Sequence, residues 1–498
     1  MRGVTAIRLM VLSILLALTA PVLADASATA PPNVQVQVEA VLAAAPKGTR
    51  FGLLVVNEAG KVIVSVNPDG RFIPASNTKL FTTAAAYALL PGMDRPDMVG
   101  GARVYLLSAR RKDAPDVVLL GGGDARLASA PDCLVDCLAT LADAVAAKSK
   151  VVGDVVGIDA KFPDQRWSPG MSWNNFGSND ATATSALSLD SNELLVSVTP
   201  GEVTRPPVIV APPYVKIRNE AVTVPAKGKV WLVLEHTVNS REFRLYGEFP
   251  VDAGEWNERI GIDDPAHYAA WTFAGMLTAR GVKVRGKIQT VHRSLTHPDG
   301  LNDLVELQGL AREIASLGPP LASLTPPPLA EDVSLINKVS QNHHAELLLR
   351  RIGSQIGAGS LADGLAAERA LFDQVGIPRE GYDFSDGSGM STYNRVSPRA
   401  AVILLRWIAI QPWGKAWYTS LPIAGFDGTL KKRFIGTPLA GNLIAKTGTL
   451  NATNALSGTF RAASGQTLTF AFFANDVPDG QSAVPAMEAV LLVIAASN

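Results

Sequence analysis

Apolar and β-branched residues run almost unbroken through residues 51–56 and again through 61–66, with Asn57-Glu58-Ala59-Gly60 between them. Two such runs across a short polar link that contains glycine predict a β-hairpin. Past Pro74 the period changes. Leu80, Phe81, Ala84, Ala85 and Tyr87 recur at helical spacing, so a helix is expected to open near Ser76. Between about residues 98 and 300, short β-rich runs (117–120, 151–158, 194–198, 230–234 and 243–249) alternate with Gly, Pro, Asp and Asn. That texture predicts one or two mainly β units. A proline-rich break at 318–328 reads as a return linker. Helical periodicity then covers 333–356 and 400–410, the second opened by Pro398. Strands reappear at 443–450, 455–461 and 468–473, and a helix closes the chain at 483–496. No internal repeat is visible. Strands at both ends with helices between them suggest one α/β (α+β) unit, residues 33–97 and 320–498, split by an insert at 98–319.

The first residues have a different pattern. Arg2 and Arg8 precede an apolar stretch at 9–20, and Val22 and Ala24 follow at cleavage-site spacing. This is the layout of a secretory signal peptide, residues 1–24, and predicts an exported protein, periplasmic or otherwise extracytoplasmic. The stretch is shorter than the roughly 20 residues that span a bilayer, and the apolar run near the C-terminus holds Glu488, so no integral span is expected. The chain has 498 residues, 47% of them hydrophobic, enough for several domains with sizeable cores. Lys plus Arg total 45 and Asp plus Glu total 45. That balance gives no reason to expect nucleic acid as a partner. The two cysteines, Cys133 and Cys137, lie four apart. Export permits a bridge between them. On a regular helix this spacing sits near the limit of disulfide reach, so bridge and free thiols both stay open. With no nearby His or further Cys, the pair is a poor zinc site, and neither metal nor cofactor is expected.

Three short motifs carry the candidate chemistry: Ser76-x-x-Lys79, Ser340-Gln341-Asn342 and Lys446-Thr447-Gly448. Each alone has a bland explanation: a helix N-cap, a solvated charge or a strand end. Their order and context raise the signal. The first opens a predicted helix, the second lies on one, and the third lies on a strand. A Ser and a Lys three apart on a helix share a face, so the amine reaches the hydroxyl. A Ser hydroxyl needs a base to become a nucleophile. Lys79 can be that base if burial or a neighbouring cation such as Lys446 lowers its pKa. Ser340 is placed to pass a proton to a leaving amine, and Asn342 to hold a substrate backbone. Lys446 and Thr447 suit a substrate carboxylate. The strand after Gly448 suits an extended peptide, and the N–H groups of Ser76 and Thr449 suit an oxyanion. Competing sites are weaker. Gly121-Gly122-Gly123-Asp124 lacks a following Lys-Ser/Thr, and His343-His344 with Glu346 reads as packing.

At these motifs the chain resembles the penicillin-binding protein 4 type of D-alanyl-D-alanine carboxypeptidase/endopeptidase. Further stretches carry the resemblance: residues 74–80, 336–342, 421–430 and 445–450, and Asp386-Gly387-Ser388-Gly389-Met390-Ser391, a loop expected to shape the site. The resemblance implies a penicilloyl-serine transferase fold, a five-stranded antiparallel sheet between helices, with mainly β domains inserted after the first motif. It implies Ser76 as the acylated nucleophile and Lys79 as the base, with Ser340 and Asn342 in the second motif and Lys446, Thr447 and Gly448 in the third. The implied partners are peptidoglycan peptides and β-lactams. Relatives carry an acidic residue shortly after a Trp of the insert. Here Trp173 precedes Asn174 and Asn175, and Asp180 stands a little further on. An inert wall-binding scaffold and a β-lactamase-like hydrolase are the alternatives.

Overall fold

The computed structural model describes residues 33–107, 114–238, 240–295 and 316–497. The signal-peptide expectation falls outside them. The central sheet has five strands: β1 (Arg50–Asn57), β2 (Val62–Val66), β3 (Ile444–Leu450), β4 (Thr453–Arg461) and β5 (Thr467–Asn475). Their order is β3-β4-β5-β1-β2, every neighbour antiparallel. Alternate residues of a strand face opposite sides, and here both sides are covered. Leu53, Val55, Phe470 and Phe472 join one core, under helices α1 (Val34–Ala43) and α7 (Val484–Ser497). Leu54, Val56, Ala471 and Phe473 join the other, with α2 (Thr78–Leu89) and α6 (Pro398–Ala409). This explains why β1 and β5 are apolar runs and not alternating ones.

The helical layer also holds α3 (Leu329–Lys338), α4 (Asn342–Gly353) and α5 (Leu361–Val375). The single helix expected across 333–356 is therefore two. Ser340 adopts a left-handed φ of 66°, and the Gln341 side chain accepts from His343 N, capping a new helix. Side-chain capping of freed N–H groups makes such a restart stable. The second motif thus lies at a break between helices, not along one. Helix α4 is buried along its whole length.

The insert is less purely β than its pattern suggests. A five-stranded sheet runs in the order Ile288–Arg293, Val155–Pro163, Asp116–Leu120, Arg103–Leu107 and Ala322–Ser323, the first three parallel. Helices Leu138–Lys148 and Pro265–Ala279 pack on it. The first buries Leu138, Leu141, Ala142 and Val145, an i, i+3, i+4, i+7 stripe inside a stretch of small residues. Smaller sheets are built from Lys216–Asn219, Val222–Val224, Trp231–His236 and Glu242–Pro250, and from Glu193–Thr199, Val208–Val210 and Trp256–Gly261. Ala322 and Ser323 pair with Val104 and Arg103, and Leu324 N donates to Ala102 O. The chain therefore leaves the insert's sheet after residue 324, and not at 320.

Cys133 and Cys137 are bridged, with Cα atoms 5.7 Å apart. Neither is inside a helix. Cys137 is the extended N-cap residue of Leu138–Lys148, which releases the pair from helical spacing. Among the described residues, no helix is long and apolar enough to cross a membrane, and no group of three or more His, Cys, Asp or Glu is placed to hold a metal.

Candidate active site

The approach to Ser76 is fixed at both ends. The Asn475 side chain, at the end of β5, accepts from Ile73 N at 2.7 Å and donates to Ile73 O at 3.1 Å. Asn77 Nδ2 donates to Lys446 O on β3 at 3.0 Å. Between them Ala75 takes a left-handed φ of 46° and opens a short 3-10 turn, Ala75–Asn77, which runs into α2. A positive φ at a residue with a Cβ costs about 1–3 kcal/mol, so the surrounding bonds must hold it. Two glycines allow the close packing. A Cβ at Gly448 would lie 2.7 Å from Pro74 O, and one at Gly389 would lie 2.0 Å from Ala75 O. Strand β3 and the loop at 386–391 thus press on the serine turn from two sides.

Lys79 is fully buried one helical turn below. Its Nζ donates to Ser76 Oγ at 3.0 Å, Asn342 Oδ1 at 2.5 Å and Ser388 O at 2.5 Å. All three ammonium hydrogens are committed. Burial lowers its pKa from 10.5 to about 8, and Asp386, Glu346 and Asp180 work in the opposite direction. Loss of hydration disfavours the charged amine, and the acids keep the shift moderate. The low pKa expected of Lys79 is therefore present, with burial as its first cause. Lys446 is itself fully buried, and its pKa is pushed down by burial and by the charge of Lys79. Its Nζ donates to Ser340 Oγ at 2.9 Å and to Thr447 O at 3.1 Å.

The two amines form parallel serine–lysine pairs facing one groove of about 500 Å³. Ser76, Ser340, Asn342, Thr447, Gly448 and Thr449 line it. Lys79 and Lys446 lie beneath, each bonded to a serine. All eight sequence-predicted residues are thus brought together, with two differences in orientation. Asn342 turns its carbonyl to Lys79 and its amide to Asp180 O, at 2.9 Å. Lys446 offers no exposed ammonium to the groove. The hydroxyl side of the third motif is Thr447, which donates to Thr429 Oγ1 at 2.7 Å.

Sequence reasoning missed the support beneath. Glu346 on α4 accepts from Gly387 N and Ser388 N at 3.0 and 2.9 Å, and from Ser168 Oγ of the insert at 3.0 Å. Asp386 accepts from Gly389 N, Ser391 N and Asn394 Nδ2. These carboxylates shape the loop that presents Ser388 O to Lys79. Burial and the neighbouring Glu346 raise the pKa of Asp386 to about 6. The loop Asp386-Gly387-Ser388-Gly389 was legible as a site-shaping segment; its main-chain ligand to Lys79 left no mark in the residue types. His343 and His344 are buried and bonded to Ser188, Asn192, Ser191 and Asp332, a packing role. The insert contributes Ser172, Asn175 and Asp180 to the groove wall.

An antiparallel five-stranded sheet between helices, with a serine bonded to a buried lysine at the start of a helix, defines a penicilloyl-serine transferase fold. The chain belongs to the D-Ala-D-Ala carboxypeptidase 3 (S13) family, whose model matches residues 34–497. It is 32% identical over 457 residues to a D-alanyl-D-alanine carboxypeptidase of Actinomadura sp. strain R39, covering 88% of this chain and 80% of that one. It is 24% identical over 453 residues to the D-alanyl-D-alanine carboxypeptidase DacB of Haemophilus influenzae, covering 87% of each. The fold is that of a crystal structure of penicillin binding protein 4 from Haemophilus influenzae: TM-score 0.73, 21% identity, 92% of this chain and 97% of that one. That Haemophilus protein has also been solved in complex with a β-lactam.

Proposed function

We propose that this protein is a serine-type D-alanyl-D-alanine carboxypeptidase/endopeptidase that works on peptidoglycan stem peptides and cross-links through an acyl-enzyme on Ser76. The observation that carries it is the 3.0 Å bond from a buried, pKa-lowered Lys79 to Ser76 Oγ, in a groove that also holds the Ser340–Lys446 pair. Neutral Lys79 takes the Ser76 proton as Oγ bonds to the carbonyl carbon of the penultimate D-alanine. The N–H groups of Ser76 and Thr449 receive the negative oxygen. Ser340 gives its proton to the departing amine and is resupplied from Lys446 Nζ, and the C–N bond breaks. Lys79 gives up the proton it took and Lys446 regains one by exchange with solvent. Lys79, neutral again, takes a proton from water as the water oxygen bonds to the ester carbon, and passes it to Ser76 Oγ as the ester C–O bond breaks. Asn342 holds the Lys79 amine in line. Thr447 and Thr449 receive the substrate's carboxylate end, and the open edge of β3 pairs with its backbone.

The same serine accounts for acylation by β-lactams, whose strained amide replaces the D-alanyl bond. Peptidoglycan lies outside the cytoplasm, and the basic and apolar pattern of residues 1–24 supports export by a signal peptide to the periplasm or its equivalent.

The test is intact-mass labelling with a penicillin, wild type beside Ser76→Ala, together with D-alanine release from a pentapeptide. Wild type should gain one stable adduct and release D-alanine; Ser76→Ala should do neither. No adduct on folded wild type would move the reading to an inert wall-binding protein. Rapid loss of the adduct with turnover of the penicillin would move it to a β-lactamase.

A further inference from the structure

A second cavity, of about 590 Å³, adjoins the groove. It lies between two strands at sheet edges, Trp231–His236 and Trp256–Gly261, and is closed on one side by the turn Trp173–Asn175. That turn serves both spaces. Ser172 and Asn175 face the catalytic groove, whereas Trp173, Asn174 and Phe176 face the cavity. The two are also linked electrostatically, because the charge of Asp180 acts on Lys79 on one side and on Glu258 of the cavity on the other.

The lining combines flat apolar faces with a polar rim. Trp167, Trp173 and Trp256 all contribute. Trp167 is held rigid, its ring stacked on Phe176 at 4.7 Å and its Nε1 donating to Ala181 O at 2.8 Å. Trp173 is 70% exposed. An indole held so open on a short turn buries little of its own area against the protein and gains by covering with a ligand. Around these rings stand Asn174, Glu235, Glu258 and Arg259. The volume is in the range of small-ligand pockets, which pair aromatic walls with a few placed polar groups.

A pyranose ring has that same division, C–H bonds on its flat faces and hydroxyl or acetamido groups around its edge. Carboxylates and amides bond the edge while indoles cover the face. A peptide added to a strand edge would instead need separate pockets for alternate side chains. We infer that this cavity is a subsite for an N-acetylated amino sugar of the glycan to which the stem peptide is attached. The inference rests on the peptidoglycan reading above. In it the insert holds the sugar while the groove holds the peptide.

Trp173→Ala is the test, because so exposed a side chain is not needed for folding. Two measurements are made on the full chain. First, N-acetylated chitotriose is titrated against the indole fluorescence of wild type and variant. Second, D-alanine release is compared on a bare pentapeptide and on the same pentapeptide carried by its disaccharide. Wild type should bind the sugar and prefer the disaccharide substrate through a lower KM. The variant should bind the sugar about tenfold more weakly or worse, and lose that preference, while its rate on the bare peptide and its penicillin labelling stay the same. Equal use of both substrates by wild type overturns the subsite. An equal loss on both substrates in the variant overturns it too, and points to a peptide in the cavity. Failure of the peptidoglycan reading would show itself separately, as wild type that neither labels nor releases D-alanine whatever the sugar titration gives.

Discussion

At the scale of the residue, the decisive feature is an amine held near neutrality at no exposed position. Lys79 has a pKa of about 8 because it is buried, with three acids limiting the drop. In the proposed mechanism only its neutral form accepts the Ser76 proton. The acylation rate of the free enzyme by a β-lactam should therefore climb with pH, about tenfold per unit well below pH 8, and level off above it. Stopped-flow acylation across that range checks this; a flat profile would remove Lys79 as the base. Ser76 and Lys79 were legible because i, i+3 spacing puts two side chains on one face. Ser388 was not legible as a ligand, since it bonds Lys79 through its main-chain carbonyl, a group every residue has. Asn342 shows the same limit from another side. Its type and position were readable, but which of its two amide ends faces the lysine depends on the neighbours, Asp180 among them.

At the scale of the element, the site is made by breaks in regular structure. Ala75 and Ser340, the one preceding Ser76 and the other bonded to Lys446, both take left-handed φ, and Gly389 has φ +91°. Periodicity covers elements and is silent at their breaks, which is why the pattern predicts one helix where α3 and α4 meet at Ser340. The strands of the central sheet were the most readable elements, because burial on both faces leaves an unbroken apolar run. The helix Leu138–Lys148 was hidden by alanines among its apolar stripe. Gly389→Ala provides a sharp check on the breaks. Its Cβ would lie 2.0 Å from Ala75 O, at a φ that itself costs about 1–3 kcal/mol. The variant should lose β-lactam acylation by orders of magnitude while keeping its circular dichroism. Normal acylation would show that the loop does not hold the serine turn.

At the scale of the whole molecule, the insert is bound to the catalytic half by buried polar contacts. Arg351 of α4 forms a two-pronged ion pair with Asp97, the last residue of the catalytic half before the insert, which anchors the point where the chain crosses over, and both side chains are at most 10% exposed. Ser168 reaches Glu346, and Arg293 Nη2 donates to Ala358 O at 2.7 Å. Removing one member of a buried pair leaves the other unpaired, at a cost of about 3–5 kcal/mol. Arg351→Ala should lower stability by that order in urea and split one unfolding transition into two as the halves uncouple. A single transition with unchanged midpoint would show that the pair does not couple them.

The central sheet has a further consequence, in time and not in space. Strand β1 emerges early in synthesis, yet one of its two neighbours is β5, whose first residue is Thr467. Until then one edge of β1 has no partner. The insert, complete by about Leu324, has its own cores and can fold first. Pairings between distant segments form slowly, and here they close the molecule last. A chain delivered N-terminus first would thus carry a finished accessory half before its catalytic half is assembled. The groove around Ser76 is complete only when the final strands arrive, because Thr447, Gly448 and Thr449 form part of its wall, and the hydrolase is delayed until then.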